Sequence, residues 1–354
     1  MSVRYSDAMP GVSKPLRLLV VCPSWLGDCV MATPACRALR EELPGAFIGA
    51  LVRPGMEELF AGLPFFDELH VARSSGVMGP KFVAAKVRPR RYDTTLLLTN
   101  SFSSALTVRI AGIPRRVGYD RDARGLLLTD RLKAPLRANG KFAPIPAVEY
   151  YLAAAGRVLG SDVSKYANRL SLFVTPGEEN AADAILAKAG ISPQTPRVIL
   201  NPGGNNEAKR WPGQRFGALA RHLSGKGFAV LINGSPGEAD LVDQIAAEAG
   251  VPCICLPRLG ITIGALKALV RGSRLMVTND TGPRHIAAAF GVPLVTLFGP
   301  TDPRWTTIPA RETVLFSNPD LPPEEVADEH AAECRIERIG LEAVIRAAEE
   351  ALAG

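Results

Sequence analysis

The sequence predicts an α/β protein built from two doubly wound, Rossmann-like domains. Short apolar runs alternate with stretches of helical spacing, which is typical of a parallel sheet wrapped by helices. The alternation starts again near residue 195. The length of 354 residues also suits two domains of ordinary size. We therefore expect an N-terminal domain over 1–178 and a C-terminal domain over 179–354.

The first half opens on Leu16–Cys22, a short and mostly apolar run that is typical of a buried strand. A loop with Gly27 and Asp28 follows, and Val30–Leu43 then has helical spacing and ends at a Pro-Gly stop. The remaining predicted strands of this half, with helices between them, are Phe47–Val52, Glu68–Val71, Thr94–Leu98 and Arg116–Gly118.

The second half repeats this organisation after a Pro- and Gly-rich stretch, 171–197. Its predicted strands are Arg197–Leu200, Ala229–Asn233, Pro252–Leu256 and Leu275–Val277, and its predicted helices are Phe216–Gly225, Glu238–Ala249 and Ile263–Arg271. The final helix, 341–352, is amphipathic, so it can pack on its own domain or back on the N-terminal domain.

Composition indicates a folded protein with large interiors, with 47% hydrophobic residues, 21% charged residues and a mean hydropathy of +0.10. No apolar run approaches the roughly 18 residues of a membrane span. The start, 1–15, lacks the apolar core of a signal peptide. We expect a cytoplasmic protein. The six cysteines have neither CxxC nor zinc-finger spacing, which favours small buried side chains over disulfides or metal ligands: Cys22, Cys29, Cys36, Cys253, Cys255 and Cys334.

Charge is distributed unevenly along the chain. Residues 1–175 hold 24 Lys and Arg against 14 Asp and Glu, a net +10, whereas the remainder holds 17 against 21, a net −4. The basic clusters 81–91 and 115–141 are either a solvated face or the surface for an anionic partner, such as a phosphorylated substrate or an acidic membrane leaflet. No nucleic-acid-binding signature accompanies them, so nucleic acid is not expected as a partner.

Several common nucleotide-binding signatures are absent. The sequence has no GxxxxGK[ST] loop and no GxGxxG after the first strand, which argues against a P-loop NTPase and a conventional NAD enzyme. A DxD at Asp120 and Asp122 has spacing that can hold a metal bound to a sugar nucleotide. It lies among Arg115, Arg116, Arg121 and Arg124, however, which can simply pair with it. We expect neither a metal nor a cofactor.

The stretch 278–293, "TNDTGPRHIAAAFGVP", follows an apolar strand and leads into a helix. Its polar residues therefore lie at the carboxyl end of a strand, where parallel sheets bind ligands and where a helix N-terminus attracts anions. Thr281 and Gly282 let a phosphate approach the backbone, whereas Asp280 would repel it and is suited to hydroxyl or N–H donors instead. Simple capping of the helix by these residues is the alternative.

Three segments in this order carry a resemblance: "PSWLGDCVMATPACRALR", "NPGGNNEAKRWPGQRFGALARHL" and "TNDTGPRHIAAAFGVPLVTLFGPTDP". Together they resemble the bacterial lipopolysaccharide heptosyltransferases of glycosyltransferase family 9, and the "AKRWP" stretch is closest to the type II members. The resemblance implies a GT-B fold, in which two Rossmann-like domains face a deep cleft. It also implies an acceptor held mainly by the first domain and ADP-heptose held by the second.

The implied reaction is an inverting, metal-independent transfer of heptose to the lipid A–core acceptor, at the cytoplasmic face of the inner membrane. A family member with another sugar or acceptor, and a sugar-nucleotide-binding protein without catalysis, are the alternatives. Pure binding has no use for a base, which argues against the second alternative. The type II members carry a cysteine-bearing stretch before the last helix, whereas this sequence keeps only Cys334 there, so the exact acceptor stays open.

Asp28 matches the aspartate of the family's GD motif and is the expected general base, with Gly27 allowing a tight turn beside it. The alternative is that Asp28 caps a helix beginning near Val30. The resemblance makes Lys209 the counter-charge for the leaving diphosphate. Trp211 is expected to pack the loop.

The other implied donor-binding residues lie in three loops of the second half. Gly203 and Gly204 would bring backbone N–H groups to the donor, and Glu238 would hold the nucleoside, although an acidic residue there also suits a helix N-terminus. In the last loop Asp280 would accept bonds from heptose hydroxyls, Thr281 and Gly282 would line the phosphate, and His285 would donate to it. Pro283 and Arg284 depart from the usual motif and are expected to adjust donor contacts, and His70, His222 and His330 are expected at the surface.

Overall fold

The structure is a computed structural model that describes residues 15–354. The segment 1–14, part of the start for which no signal peptide is predicted, lies outside the described residues. The chain forms two compact units. The first ends at Arg169, and the second holds Leu170–Gly354 together with Trp25–Val30 and Glu58–Gly62. The division at Arg169 comes before the helix Pro176–Lys188, whereas the predicted boundary at 178/179 falls inside that helix.

The first unit contains a six-stranded parallel sheet in the order β3-β2-β1-β4-β5-β6. Its strands are β1 Arg17–Val21, β2 Phe47–Val52, β3 Glu68–Val71, β4 Thr94–Leu97, β5 Arg115–Tyr119 and β6 Asp130–Leu132. Helices α2 Thr33–Glu42, α4 Gly79–Val87, α5 Phe102–Ile110 and α6 Ala147–Leu159 alternate with them. Two short helices, α1 Leu26–Met31 after β1 and α3 Met56–Phe60 after β2, lie mostly in the two segments that cluster with the second unit. Strand order reverses at β1 and β4, which is where doubly wound sheets bind ligands.

One helix predicted in this half is two helices. The sequence predicts a helix over Val30–Leu43, but α1 ends at Met31 and α2 begins at Thr33. Pro34 explains the break, because it lacks the N–H that would bond the carbonyl of Val30 four residues earlier. The result places Asp28 inside α1 and gives the loop after β1 a helical turn of its own.

His70, which we expected at the surface, is buried. Only 4% of it is exposed, and its Nε2 lies 2.7 Å from the hydroxyl of Tyr92. Burial lowers the pKa of His70 below its ordinary value. The hydroxyl of Tyr92 occupies the space beside Gly49, where an added Cβ would lie 1.9 Å from it. The hydrogen-bonded pair of His70 and Tyr92 therefore packs beside β2. Because His70 belongs to no motif, the sequence does not indicate this packing role.

The second unit contains another six-stranded parallel sheet, in the order β12-β11-β10-β7-β8-β9. Its strands are β7 Arg197–Asn201, β8 Ala229–Ile232, β9 Cys253–Cys255, β10 Leu275–Asn279, β11 Leu294–Phe298 and β12 Glu312–Phe316. Its helices are α7 Pro176–Lys188, α8 Gly213–Gly225, α9 Ala239–Ala249, α10 Ile263–Arg271, α11 Gly282–Ala289 and α12 Leu341–Ala353. The predicted doubly wound class is confirmed for both units. The prediction omitted β6, β11 and β12.

The last helix packs within the second unit. Val344, Ala347 and Ala348 of α12 are buried in a core shared with β7, β10, β11 and α8. The buried face of α12 thus packs on its own domain, which is one of the two placements predicted for 341–352. The amphipathic spacing identified the face but held no information about which sheet it covers.

The cysteines are all free thiols: Cys22, Cys29, Cys36 and Cys334 are buried, and Cys253 and Cys255 are half-buried. Burial raises the pKa of the Cys36 thiol to about 12. These side chains act as packing residues, as predicted for the four buried ones. Within residues 15–354, no helix has both the length and the apolar character needed to cross a bilayer.

Candidate active site

Polar residues gather at the carboxyl ends of β7, β8 and β10 in the second unit. Asn233, just past β8, donates from Nδ2 to Oδ1 of Asn201 at 2.6 Å. Asn201, the last residue of β7, in turn donates to the hydroxyls of Thr281 at 2.8 Å and Thr278 at 3.1 Å. Three adjacent strand ends are thus connected by side-chain amides that are almost wholly buried. This network fixes the start of α11 against β7, which a ligand site at the switch point requires.

The loop after β7 is anchored by the residues that follow it. The side chain of Asn279 donates to the carbonyl of Pro202 at 2.7 Å and accepts from the backbone N–H of Trp211 at 3.2 Å. The indole of Trp211 is 1% exposed and donates to the carbonyl of Ile339 at 2.8 Å. The prediction that Trp211 packs the loop is confirmed.

Lys209 and Asp280 form an ion pair at this edge of the sheet. The Lys209 Nζ donates to Asp280 Oδ2 at 3.0 Å, and the two side chains are 23% and 9% exposed. An ammonium carries three N–H donors. One N–H is used by Asp280, and the partial exposure of the side chain leaves the others accessible to an anion.

The carboxylate of Asp280 receives four side-chain donors. Besides Lys209, these are Thr301 at 3.2 Å, Thr306 at 3.4 Å and the guanidinium of Arg284 at 3.4 Å. Burial acts to raise the pKa of Asp280, but the cations of Lys209 and Arg284 hold that pKa below its ordinary value. Asp280 is therefore an anion that fixes the position of Lys209, and its two longest bonds are the weakest of the four.

Arg284, which we expected to adjust donor contacts, lies buried behind Asp280 and can affect such contacts only through that carboxylate. It is 1% exposed and holds Glu312 through two bonds, from Nε at 2.6 Å and Nη2 at 2.8 Å. It also donates to Thr306 at 2.8 Å, and its guanidinium lies 4.8 Å from the ring centre of Phe298. A buried, bidentate arginine of this kind fixes the positions of the side chains that it contacts, here Glu312, Thr306 and Asp280.

Helix α11 presents its N-terminus at the same place. Thr281 is the N-cap residue by position, yet its side chain makes no capping bond to the helix, because Asn201 holds the hydroxyl instead. The alternative that these residues only cap a helix is therefore not supported for Thr281. An N-terminus without a side-chain cap retains the N–H donors that attract anions.

His285 in the first turn of α11 is 3% exposed, and its Nδ1 has no hydrogen-bond partner within the described residues. Burial, together with the charge of Arg284, lowers the pKa of His285 to about 3. The imidazole is neutral at physiological pH and carries one N–H that can be donated. His285 thus lies in the same helix start as Thr281 and Gly282 and has a buried polar atom that needs a partner.

Glu238 forms a hydrogen bond to the loop that carries Gly203 and Gly204, which we call the glycine loop, and the sequence did not predict this bond. Glu238 Oε1 accepts from the backbone N–H of Gly204 at 2.7 Å, and Oε2 accepts from the N–H and hydroxyl of Ser235 at 2.7 and 2.8 Å. A Cβ on Gly203 would lie 2.4 Å from the same carboxylate. The Gly204 N–H that was expected to face a donor is directed to Glu238. Burial acts to raise the pKa of Glu238, but its bonds to Ser235 and Gly204 lower it.

Asp28 lies in the first turn of α1, within Trp25–Val30, the segment that clusters with the second unit. It does not precede a helix starting at Val30, so the capping role weighed for it does not apply. Its neighbour Gly27 is buried, and an added Cβ there would lie 2.5 Å from Cδ2 and 2.9 Å from Nε2 of His285. On Gly282, an added Cβ would lie 3.1 Å from the side chain of Leu26. The backbone of α1 therefore touches the first turn of α11.

The DxD pair lies in a tight turn beside arginines. Asp120 is 3.9 Å from Arg131, and Asp122 and Ala123 have positive φ angles of 52° and 58°. This turn allows Arg124 to be fully buried, with bonds to the carbonyl of Tyr119 at 2.9 Å and to Asn100 at 3.1 Å. No group of three or more His, Cys, Asp or Glu within residues 15–354 is arranged to hold a metal ion.

Sequence reasoning missed three contributors, Asn201, Thr301 and Glu312. Asn201 directly follows the predicted strand Arg197–Leu200, so its position at a strand end was a usable signal. Thr301 directly follows Pro300, but no neighbouring residue indicates that its hydroxyl donates to Asp280. Glu312 lies on β12, a strand that was itself not predicted.

The sequence and fold are similar to those of known glycosyltransferases. The model of glycosyltransferase family 9 (heptosyltransferase) matches residues 83–335. Lipopolysaccharide heptosyltransferase 2 of Escherichia coli strain K12 is 30% identical over 308 residues, 82% of this chain and 85% of that protein. Lipooligosaccharide heptosyltransferase 2 of Haemophilus influenzae is 29% identical over 304 residues, covering 82% and 85%.

Among solved structures, that of E. coli ADP-heptose LPS heptosyltransferase II is 26% identical, with a TM-score of 0.78 over 96% of this chain and 99% of that chain. The predicted GT-B fold class is confirmed by this likeness. The resemblance carried by three short motifs thus extends over most of the chain.

Proposed function

This chain belongs to glycosyltransferase family 9, the heptosyltransferases, and from that premise we propose that it transfers heptose from ADP-heptose to a hydroxyl of the lipopolysaccharide inner core, with inversion. The observation that carries the proposal is the arrangement of Lys209, Asp280 and the uncapped start of α11 around one strand edge. Relatives named as lipopolysaccharide heptosyltransferases support the choice of sugar and acceptor.

Lys209 and α11 bind the diphosphate of the donor. The ammonium of Lys209 is positioned by Asp280 and places a full positive charge beside the phosphates. The N-terminus of α11, at Thr281 and Gly282, adds backbone donors and a partial positive charge. His285 contributes a neutral N–H donor. Because these groups are fixed before the reaction, they stabilise the charge that collects on the leaving ADP at little reorganisation cost.

The sugar is oriented by the neighbouring carboxylate and loop. Asp280 accepts from a heptose hydroxyl at the oxygen with the longer bonds to Thr306 and Arg284. Glu238 holds the glycine loop through Gly204, and its remaining acceptor capacity faces the nucleoside. Gly203 keeps this region open, since any side chain there would meet the Glu238 carboxylate.

Asp28 acts as the general base. The acceptor hydroxyl oxygen forms a bond to the anomeric carbon as the bond from that carbon to the phosphate oxygen breaks, and the hydroxyl proton passes to Asp28. ADP leaves with the bonding electron pair, and attack from the opposite face inverts the anomeric configuration. The contact of Gly27 with His285 brings Asp28 into the neighbourhood of the phosphate-binding helix. A positioned base of this kind contributes about 10²- to 10⁴-fold in rate.

The acceptor is an anionic glycolipid, and the net charge of +10 on residues 1–175, which is 24 Lys and Arg less 14 Asp and Glu, favours its approach. Because that acceptor is anchored in the inner membrane, the protein works at the cytoplasmic face of that membrane by peripheral contact. A different sugar or acceptor would keep the same chemistry, whereas a pure binding protein would not need Asp28.

The test is release of ADP from ADP-heptose in the presence of a heptose-bearing core acceptor. The parent protein should turn over, and Asp28→Asn should lose about 10²-fold or more in kcat while donor binding, measured by calorimetry, is kept. Asp240→Asn, a change at an exposed carboxylate of α9, serves as the control and should retain parent activity. Tight donor binding with no product under several acceptors would overturn the transferase assignment. A preference for UDP- or GDP-sugars would overturn the assignment of ADP-heptose as the donor.

A further inference from the structure

Large apolar side chains are exposed together at the start of α4 and α5 in the first unit. Val77 is 97% exposed, Phe82 70%, Met78 48% and Phe102 48%. We call these four residues the apolar patch. Single exposed apolar residues are ordinary, but a group of large ones on adjacent elements marks an interaction site.

The four residues are held next to each other by the fold. Helices α4 and α5 pack together, and the hydroxyls of Ser74 and Ser103 lie 2.8 Å apart, which ties the loop before α4 to the first turn of α5. Met78 and Phe82 are four residues apart and share one face of α4. The apolar patch is therefore a single surface formed by the N-terminal ends of α4 and α5.

The chain next to the patch is basic. Between Ala72 and Val87 it has Arg73, Lys81 and Lys86 and no carboxylate. The other Lys and Arg residues before Tyr119 lie at the ends of α4 and α5 or after them, towards the opposite edge of the sheet. Lys81 lies between Val77 and Phe82 and is exposed. Lys86 donates to the carbonyl of Val71, whereas Arg73 and Lys81 have exposed side chains. The apolar patch is therefore flanked by cations and by no acidic residue of its own segment, 72–87.

The patch lies at a particular edge of the sheet. The loop that leads to Val77 follows the carboxyl end of β3, and Phe102 follows the carboxyl end of β4. Because β1, β3 and β4 belong to one parallel sheet, their carboxyl ends share one edge. The segment that carries Asp28 leaves the sheet from that same edge, after β1.

We propose that the apolar patch docks this protein onto the surface of a bilayer rich in anionic lipid headgroups, with Val77, Phe82 and their neighbours inserted among the headgroups and Lys81 against the phosphates. The combination of protruding apolar side chains with interspersed lysine and arginine is suited to a lipid interface. The centre of a protein interface is instead depleted of charge. The proposal rests on the proposed function, because docking at this edge would bring a membrane-anchored acceptor to the side of the sheet from which Asp28 emerges.

The experiment measures co-sedimentation of the full chain with vesicles of phosphatidylethanolamine and phosphatidylglycerol, and with vesicles of phosphatidylcholine alone. The parent should bind the anionic vesicles and lose binding as salt is raised. Val77→Ser combined with Phe82→Ser should weaken binding about tenfold or more, and Lys81→Glu about fivefold or more. Val314→Ser, at a 41% exposed position on β12, is the matched control and should bind like the parent.

Equal binding to both kinds of vesicle would overturn the proposal, and so would a double variant that binds like the parent. Activity on an acyl-free core oligosaccharide separates this proposal from the proposed function. The double variant should keep the parent kcat on that acceptor and lose activity only on acceptor embedded in vesicles. Failure of the parent on the acyl-free acceptor would count against the proposed function, while the vesicle binding data would still decide the docking surface.

Discussion

The ammonium of Lys209 donates to the carboxylate of Asp280 across 3.0 Å, although the two residues are 71 positions apart in the chain. The bond joins the loop after β7 to the loop after β10, whose strands are neighbours in the sheet. It gives a flexible side chain one position at the edge where the leaving diphosphate is proposed to lie. The anion and cation therefore act as a unit, in which Asp280 orients the charge that Lys209 supplies.

This relationship predicts unequal effects of two changes. Lys209→Ala removes the cation and should lower kcat by about 10²- to 10³-fold. Asp280→Asn keeps the cation but loses the charge that holds it, so it should lower kcat less while also raising the KM for the donor. Steady-state kinetics with varied ADP-heptose would measure both. Lys226→Ala, at a half-exposed ion pair with Glu349, is the control. Parent-like kcat in Lys209→Ala would contradict the assigned role.

Arg284 predicts a stability effect separate from ligand binding. Arg284→Met leaves the carboxylates of Glu312 and Asp280 without their guanidinium, and loss of one partner of a buried pair costs about 3–5 kcal/mol. Changing both members, Arg284→Met with Glu312→Leu, should recover much of that free energy of unfolding. Urea denaturation measures the difference. Arg258→Met, which breaks an exposed pair, should change stability little. Equal losses in the single and double variants would contradict this account.

Gly27 predicts a steric effect at the contact between α1 and α11. A Cβ there would lie 2.5 Å from His285 Cδ2, closer than real atoms pack, so Gly27→Ala should lower both the melting temperature and kcat. Gly177→Ala is the matched control, because a Cβ at that helical position has no atom within 4 Å and should be neutral or slightly stabilising. Adding His285→Ala to Gly27→Ala should restore stability by making room, without restoring kcat.

The sequence was informative wherever a residue's role depends on its own neighbours in the chain. The loops after strands that carry Lys209 and Asp280, and the packing of Trp211, could be predicted from local apolar runs and turn residues. The pairing of Arg284 with Glu312 was not predicted, because Glu312 lies on a strand that the periodicity did not reveal. His70 was misplaced because its partner Tyr92 is 22 residues away. Long-range polar pairing has no periodic signal, so burial of charged and polar groups was the part that could not be predicted.

The depressed pKa of His285 predicts a specific dependence of stability on pH. The pKa of His285 in the folded protein is about 3, below the ordinary histidine pKa of 6.5. Above pH 6.5 neither state is protonated, and His285 makes no pH-dependent contribution. Between these values the unfolded chain binds a proton that the folded protein excludes, so stability falls as the pH is lowered, by up to about 1.4 kcal/mol per pH unit. Below about pH 3 the loss levels off.

His285→Asn removes this titration while keeping a small polar side chain. The difference in unfolding free energy between the parent and this variant should therefore shrink or reverse from pH 7 down towards pH 3, in favour of the variant. Asp280 also has a lowered pKa and loses its stabilising charge in acid, but this loss occurs in both proteins and largely cancels in the difference. Denaturant titrations at several pH values would measure it. Parallel curves for the two proteins across this range would mean that the imidazole accepts a proton in the folded state, and that the buried, neutral His285 inferred for the phosphate site is wrong.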